Sequence, residues 1–193
     1  MKIYPICLII LSILACNQPT EKGGQTGNGT AKSWQVSTNS SAFNQSFENL
    51  LTAYLQLKDQ LVAEKDSGIA QATRAIILAS DSLKLNELKA DTNLVQAAFS
   101  YSDGISSEAQ GLLEETNLLS KRRSFQMISD QFYDLINTVQ YNQKVLYRFY
   151  CNKAFEDQGA YWISDQKNLT NPYLPNATPL CGEIKDTLLF NAK

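Results

Sequence analysis

An all-α domain, an up-down four-helix bundle closed by an irregular, aromatic-rich C-terminal cap, follows from two observations. Four amphipathic stretches of helical period succeed one another from about residue 41, joined by short polar turns. After Tyr141 the periodicity stops, and turn residues and aromatic side chains take over.

The first stretch carries Phe43, Phe47, Leu50, Tyr54, Leu57 and Leu61 at alternating spacings of four and three, widened by Leu51 and Val62. Ser40 or Ser41 is the predicted N-cap. Asp66-Ser67-Gly68 is turn chemistry and predicts the end of this helix. A second stretch carries Ile69, Ala72, Ile76, Ala79 and Leu83 and ends around Asn86 to Asp91. A third carries Leu94 or Val95, Ala98, Ser102, Ile105, Ala109 and Leu112, with Gly104 as a weak point and candidate kink. The fourth follows Ser120 and carries Phe125, Ile128, Phe132, Leu135 and Val139. Short connections between such helices favour antiparallel neighbours, and the 3–4 alternation suits packing near 20°. Tyr54, Tyr101, Tyr133 and Tyr141 read as core aromatics with wet edges, and Met127, between Phe125 and Ile128, as packed.

In the cap, Val145 to Cys151 is short and aromatic, a strand or an extended segment. Asp157-Gln158-Gly159 and Asn171-Pro172-Tyr173-Leu174-Pro175-Asn176 are turn-rich. A tail with so little periodicity needs packing by Tyr161, Trp162 and Tyr173, and a cross-link, to stay folded. Residues 41–193 form one domain, with the cap at about 145–188.

The N-terminal region reads differently. Lys2 followed by the apolar run Ile3 to Leu14 is a secretory signal too short to span a bilayer. Ala15-Cys16 matches the bacterial lipoprotein box, so residues 1–15 are expected to be removed and Cys16 to carry lipid. Asn17 after that cysteine, rather than Asp, points to the outer membrane. The implied partner is a membrane, reached through the anchor, and the leaflet is left open. Residues 16–40 are rich in Gly, Thr, Asn, Ser and Gln and predict a flexible tether with a reach of roughly 25–30 Å. Its glycines lack the strand and the Gly-Lys-Ser/Thr of a phosphate loop.

Composition removes several chemistries. Histidine is absent, so there is no Ser-His or Cys-His dyad, no His-ligated zinc or haem, and no Glu-x-x-His di-iron site. The expectation is a protein that is not an enzyme. Glu114-Glu115 are adjacent on a helix and point apart, as a solvated helix end would. Lys121-Arg122-Arg123 is the densest basic run, but the chain carries a net charge of −2, so no nucleic-acid partner is expected. The run reads as a solvated helix start with one arginine pairing to the tail.

Cys151 and Cys181 are the two thiols of the body. Three states are open to them: a disulfide, a soft-metal site for Cu(I), or two free thiols. An oxidising compartment favours the disulfide, which would close a loop of about 30 residues. The metal alternative is short of donors, since Met127 is the one methionine beyond the signal.

A family resemblance gathers at these residues. Leu51-Thr52-Ala53-Tyr54-Leu55-Gln56-Leu57-Lys58-Asp59-Gln60-Leu61-Val62 carries it in the first helix, and Arg122, Phe125, Ile128 and Ser129 in the fourth. In the tail it rests on Tyr147, Cys151 and Ala154, on Trp162-Ile163-Ser164, on Asn171-Pro172-Tyr173 and on Cys181-Gly182-Glu183. Over residues 43–188 the chain resembles a bacterial envelope lipoprotein domain of unknown function. That domain is also found fused to periplasmic adaptor subunits of heavy-metal (copper/silver) efflux pumps. The resemblance implies an accessory or binding module with an envelope protein partner, and a cap packed by Tyr147, Trp162, Asn171, Pro172 and Tyr173. It also implies soft-metal donors, and there the chain departs. Asn152-Lys153 stand where the family has Pro-Met, Thr178 stands where it has methionine, and the family's helical histidines are missing. The cofactor expectation is therefore none, with Cu(I) at Cys151 and Cys181 as the alternative. The pair's expected role is a disulfide clasp.

Overall fold

The computed structural model describes residues 39–175 and 180–190. The signal at 1–15, the lipidation site Cys16 and the tether up to residue 38 lie outside the described residues.

Four long helices occupy the stretches of helical period: α1 (Ser41–Ala63), α2 (Asp66–Asp81), α3 (Thr92–Glu114) and α4 (Leu118–Val139). The starts of α1, α3 and α4 are capped by short polar side chains, whereas α2 begins at Lys65 without a side-chain cap. Ser40 Oγ accepts from Phe43 N at 3.1 Å. Asp91 accepts from the amides of Asn93 and Leu94, and Asn117 from that of Ser120. Asp66-Ser67-Gly68 does not make the predicted turn and instead opens α2. The break falls earlier, at Glu64, whose left-handed φ of 53° ends α1. Gly104 produces no break in α3. A Cβ there would meet only the flexible end of the Gln131 side chain, which can move aside.

Each helix packs on the next along the chain, which fits the up-and-down arrangement. Small side chains are buried on both α2 (Ala72, Thr73, Ser80) and α3 (Ala98, Ser102, Ala109), and Ser102 Oγ donates to Ser80 O at 3.1 Å across the contact. The α1–α4 contact is aromatic. Tyr54 stacks on Phe125 and Phe132 at 5.1 and 4.6 Å, and Phe47 on Phe132 and Tyr141 at 5.8 and 4.4 Å. Each fully buried ring or aliphatic side chain of this layer contributes roughly 1.5–3 kcal/mol. All six predicted core positions of α1 are buried. Met127 is not packed, in contrast to the prediction, and is 49 % exposed. Phe125, Ile128 and Phe132 share the inward face of α4, and position 127 falls on the other side.

The all-α expectation is corrected by the cap. β1 (Leu146–Cys151), β2 (Ala160–Ser164) and β3 (Glu183–Leu188) form an antiparallel sheet in the order β2-β1-β3. Strands of five or six residues are too short to declare a period beside turn-rich sequence. β3 is exposed along most of its length, so it carries no apolar alternation to recognise. One face of β1 meets α4, where the Arg148 guanidinium lies 3.7 Å from the ring centroid of Tyr133. The opposite face carries Phe149, stacked at 5.3 Å on its cross-strand partner Trp162.

The β1–β2 connection passes through a left-handed turn, with Phe155, Glu156 and Asp157 at φ of 54°, 59° and 64°. Three such L-residues cost roughly 1–2 kcal/mol each. The turn buries the Phe155 ring, 5.4 Å from Tyr173 and with the Arg123 guanidinium 4.7 Å above it, and this burial offsets part of that cost.

Candidate functional site

The side chains singled out in the tail converge where the cap meets α1 and α4. Cys151 ends β1 and is buried; Cys181 lies two residues before β3 and is partly exposed. The two are joined as a disulfide with Cα atoms 5.3 Å apart, which ties the far end of the 30-residue excursion back to the central strand.

The loop inside that excursion is organised by Asn171. Its Nδ2 donates to Cys181 O at 2.7 Å and its Oδ1 accepts from Tyr173 N at 2.8 Å, so one side chain links the clasp to the Asn171-Pro172-Tyr173 turn. Trp162 is buried between Phe149 and Tyr173, with an edge-on contact of 5.8 Å to the latter. A Cβ on Gly182 would come within 2.8 Å of the Trp162 ring, so glycine is needed beside Cys181 for the chain to cross it. Tyr147 stands apart from this group: it pairs across the sheet with Ser164 and Thr187, and Lys167 lies over its ring.

Tyrosine hydroxyls close the outer edge of β2. Ile163 N donates to the Tyr54 hydroxyl at 3.0 Å, and the Tyr173 hydroxyl donates to Tyr161 O. Ser129 Oγ sits between both phenols, 2.7 Å from Tyr54 and 3.3 Å from Tyr173. Side chains from α1 and from the loop therefore take the place of a neighbouring strand. Burial pushes both phenols well above the usual tyrosine range, which keeps them protonated and able to donate.

Arg122 holds the loop from the other side. Its Nε donates to Pro172 O at 2.8 Å, and its Nη2 to Leu174 O at 3.1 Å and to the Glu64 carboxylate at 2.9 Å. The pairing of an arginine with the tail is thus present. The solvated helix start is corrected, because Lys121 and Arg122 are both buried, with Lys121 on Asp66. Lys58 of α1 adds a contact to Thr170 at 3.3 Å. Glu114 and Glu115 lie at the end of α3, as their adjacency suggested.

A second polar cluster was not foreseen. Arg148 lies between the rings of Tyr133 and Tyr161, 3.7 and 4.0 Å from their centroids, and reaches Asp130 at 3.3 Å. Burial raises the Asp130 carboxyl and Arg148 pulls it back; the Tyr133 phenol, raised by burial, donates to Asp186 at 2.8 Å. An arginine inside the aromatic run Leu146-Tyr147-Arg148-Phe149-Tyr150 was the available signal. Among the described residues, no group of three or more histidine, cysteine, aspartate or glutamate side chains could hold a metal ion.

With this geometry in view, the comparison with known families divides the chain in two. Residues 50–144 match the family described as protein of unknown function (DUF3347). The match covers just under half of the chain and ends before β1. It includes Tyr54, Lys58, Arg122 and Ser129, the helix residues that grip the cap, whereas the cap, where the resemblance had its most specific residues, lies beyond it. No curated protein and no solved structure matches the chain.

Proposed function

We propose that this chain is a membrane-anchored envelope lipoprotein whose domain is a non-catalytic, protein-interaction or structural module. The observation that carries this reading is the pairing of Cys151 with Cys181, which joins the two thiols of the body to each other rather than leaving them as thiolates for Cu(I). The surrounding groups suit a clasp: Asn171 links the loop to Cys181, and Arg122 and the protonated phenols hold it down. In this reading the protein needs no cofactor, and its partner is another envelope protein. The resemblance to domains fused to heavy-metal efflux adaptors makes such a component the partner class to try first.

Intact mass of the purified protein with and without reductant, combined with alkylation, tests the clasp. The expected result is a deficit of two hydrogens, no alkylation of Cys151 or Cys181 before reduction, and no competition with a Cu(I) chelator. Two thiols that alkylate without reductant and win Cu(I) from the chelator would replace this reading with the metal-homeostasis one.

The anchor has its own test. Cys16→Ser is expected to abolish incorporation of labelled fatty acid and to release the protein from the membrane fraction. A variant that still fractionates with membrane would refute lipidation at Cys16.

A further inference from the structure

The disulfide offers its two ends unequally to solvent. Cys151 is fully buried at the end of β1, whereas Cys181 is partly exposed. A thiolate arriving from outside therefore meets Cys181 first, and which sulfur can be reached is one of the factors that govern thiol–disulfide exchange.

The residue after Cys181 helps to cover Trp162. Gly182 crosses so close to the indole that a Cβ there would lie 2.8 Å from the ring, and Leu169 closes on the same spot, 2.4 Å from that Cβ. Trp162 is 1 % exposed, and its Nε1 is buried with no hydrogen-bond acceptor among the described residues. A buried N–H without an acceptor costs free energy that contact with water returns. The covered state thus carries a penalty at Trp162. The bond to Cys151, helped by Asn171 on Cys181 O, holds Cys181-Gly182 in place against it.

We propose that the Cys151–Cys181 bond is a redox-sensitive latch over Trp162, opened at Cys181 by a dithiol reductant. The proposal rests on the two thiols being joined as a disulfide. One thiolate of the dithiol attacks Cys181 Sγ, and the S–S bond breaks with Cys151 leaving as a thiolate that takes up a proton. The second thiol gives up its proton and attacks its own partner sulfur in the mixed disulfide. The dithiol departs as a disulfide, two electrons poorer, and Cys181 is left as a thiol. Asn152 Oδ1, 3.7 Å from Cys181 Sγ, is placed to accept from that thiol. A monothiol does not suffice. Its mixed disulfide sits on a segment that Asn171 and the β1–β3 pairs return to Cys151, and Cys151 expels it.

The test uses the full chain in detergent with Trp34→Phe, which leaves Trp162 as its one tryptophan. Dithiothreitol and glutathione are compared at equal thiol concentration without denaturant. Dithiothreitol is expected to add two hydrogens by intact mass, at a rate that dilute urea leaves unchanged, and glutathione to leave the mass as it was. On reduction, acrylamide quenching of Trp162 is expected to rise several-fold and its emission to shift to the red, with the helical circular dichroism retained. Reoxidation reverses both. Reduction that proceeds only as urea unfolds the helices overturns the proposal, as does a reduced chain whose Trp162 is as shielded as before. Glutathione that reduces the chain as fully as dithiothreitol overturns the dithiol requirement. A chain purified with free thiols ends the clasp and the latch together, whereas an oxidised chain that fails these tests ends the latch alone.

Discussion

Cys181→Ser is expected to destabilise the cap by about 3–4 kcal/mol, the chain-entropy value for a loop of roughly 30 residues. Position 181 is the better one to change, because it is partly exposed and a serine there does not bury a new hydroxyl, as it would at the fully buried Cys151. The loss should be uneven. The described loop residues, 165–175 and 180–182, are held by the disulfide, by Asn171 and by Arg122, whereas the helices are held by their aromatic layer. Hydrogen exchange is expected to accelerate in β1, β2 and β3 and in the loop, with α1 to α4 retaining protection close to wild type. Equal acceleration in helices and cap would show that the clasp acts on the whole fold and not on its tail.

Arg122→Ala is expected to cost about 2–4 kcal/mol. Three acceptors meet this buried guanidinium, and truncation leaves Pro172 O, Leu174 O and the Glu64 carboxylate without their donor. Glu64 is partly solvated, so its ion pair supplies the smaller share and the two carbonyls the larger. Arg122→Lys should recover little, since one ammonium cannot span the two loop carbonyls and the carboxylate as the planar fork does. Urea denaturation measures both variants. A midpoint for Arg122→Ala corresponding to a loss under about 0.5 kcal/mol would mean that the loop holds itself through Asn171 and the disulfide.

These two variants probe the part of the protein that local pattern described least. The helices were legible because Phe43, Phe47, Leu50, Tyr54, Leu57 and Leu61 repeat at a helical period over several turns, and one packed face accounts for the repeat. The N-cap narrows to Ser40 or Ser41 for a similarly local reason, and it is Ser40 whose side chain bonds an amide three residues on. The clasp was legible in part. Two thiols and an oxidising compartment narrow their partners, and the choice left open among disulfide, metal and free thiols fell to the disulfide. Met127 shows how a neighbour-based guess fails, since lying between two core positions in sequence places a residue on a different side of the helix.

The sheet was legible only at β1, as a short aromatic segment. β3 reads as charged surface because one face of a small sheet's edge strand needs little burial, and its pairing with β1 is decided by residues over thirty positions away. The same distance hid the roles of Ser129, Lys58 and Tyr54. Each reads as an ordinary helix residue until the cap arrives to use its hydroxyl or ammonium.

By itself, the sequence determined the four helices and their inward faces, the candidate cross-link and the want of histidine chemistry, because period and composition are properties of neighbouring residues or of simple counts. Only the tertiary structure decided that the tail is a sheet, that tyrosine hydroxyls from α1 and the loop close one of its edges, and that Arg122 is buried under the loop. The bonds of Arg122 and Tyr54 among them pair backbone groups with side chains 50 and 109 residues away. Long-range hydrogen bonds of this kind leave no periodic trace in the sequence.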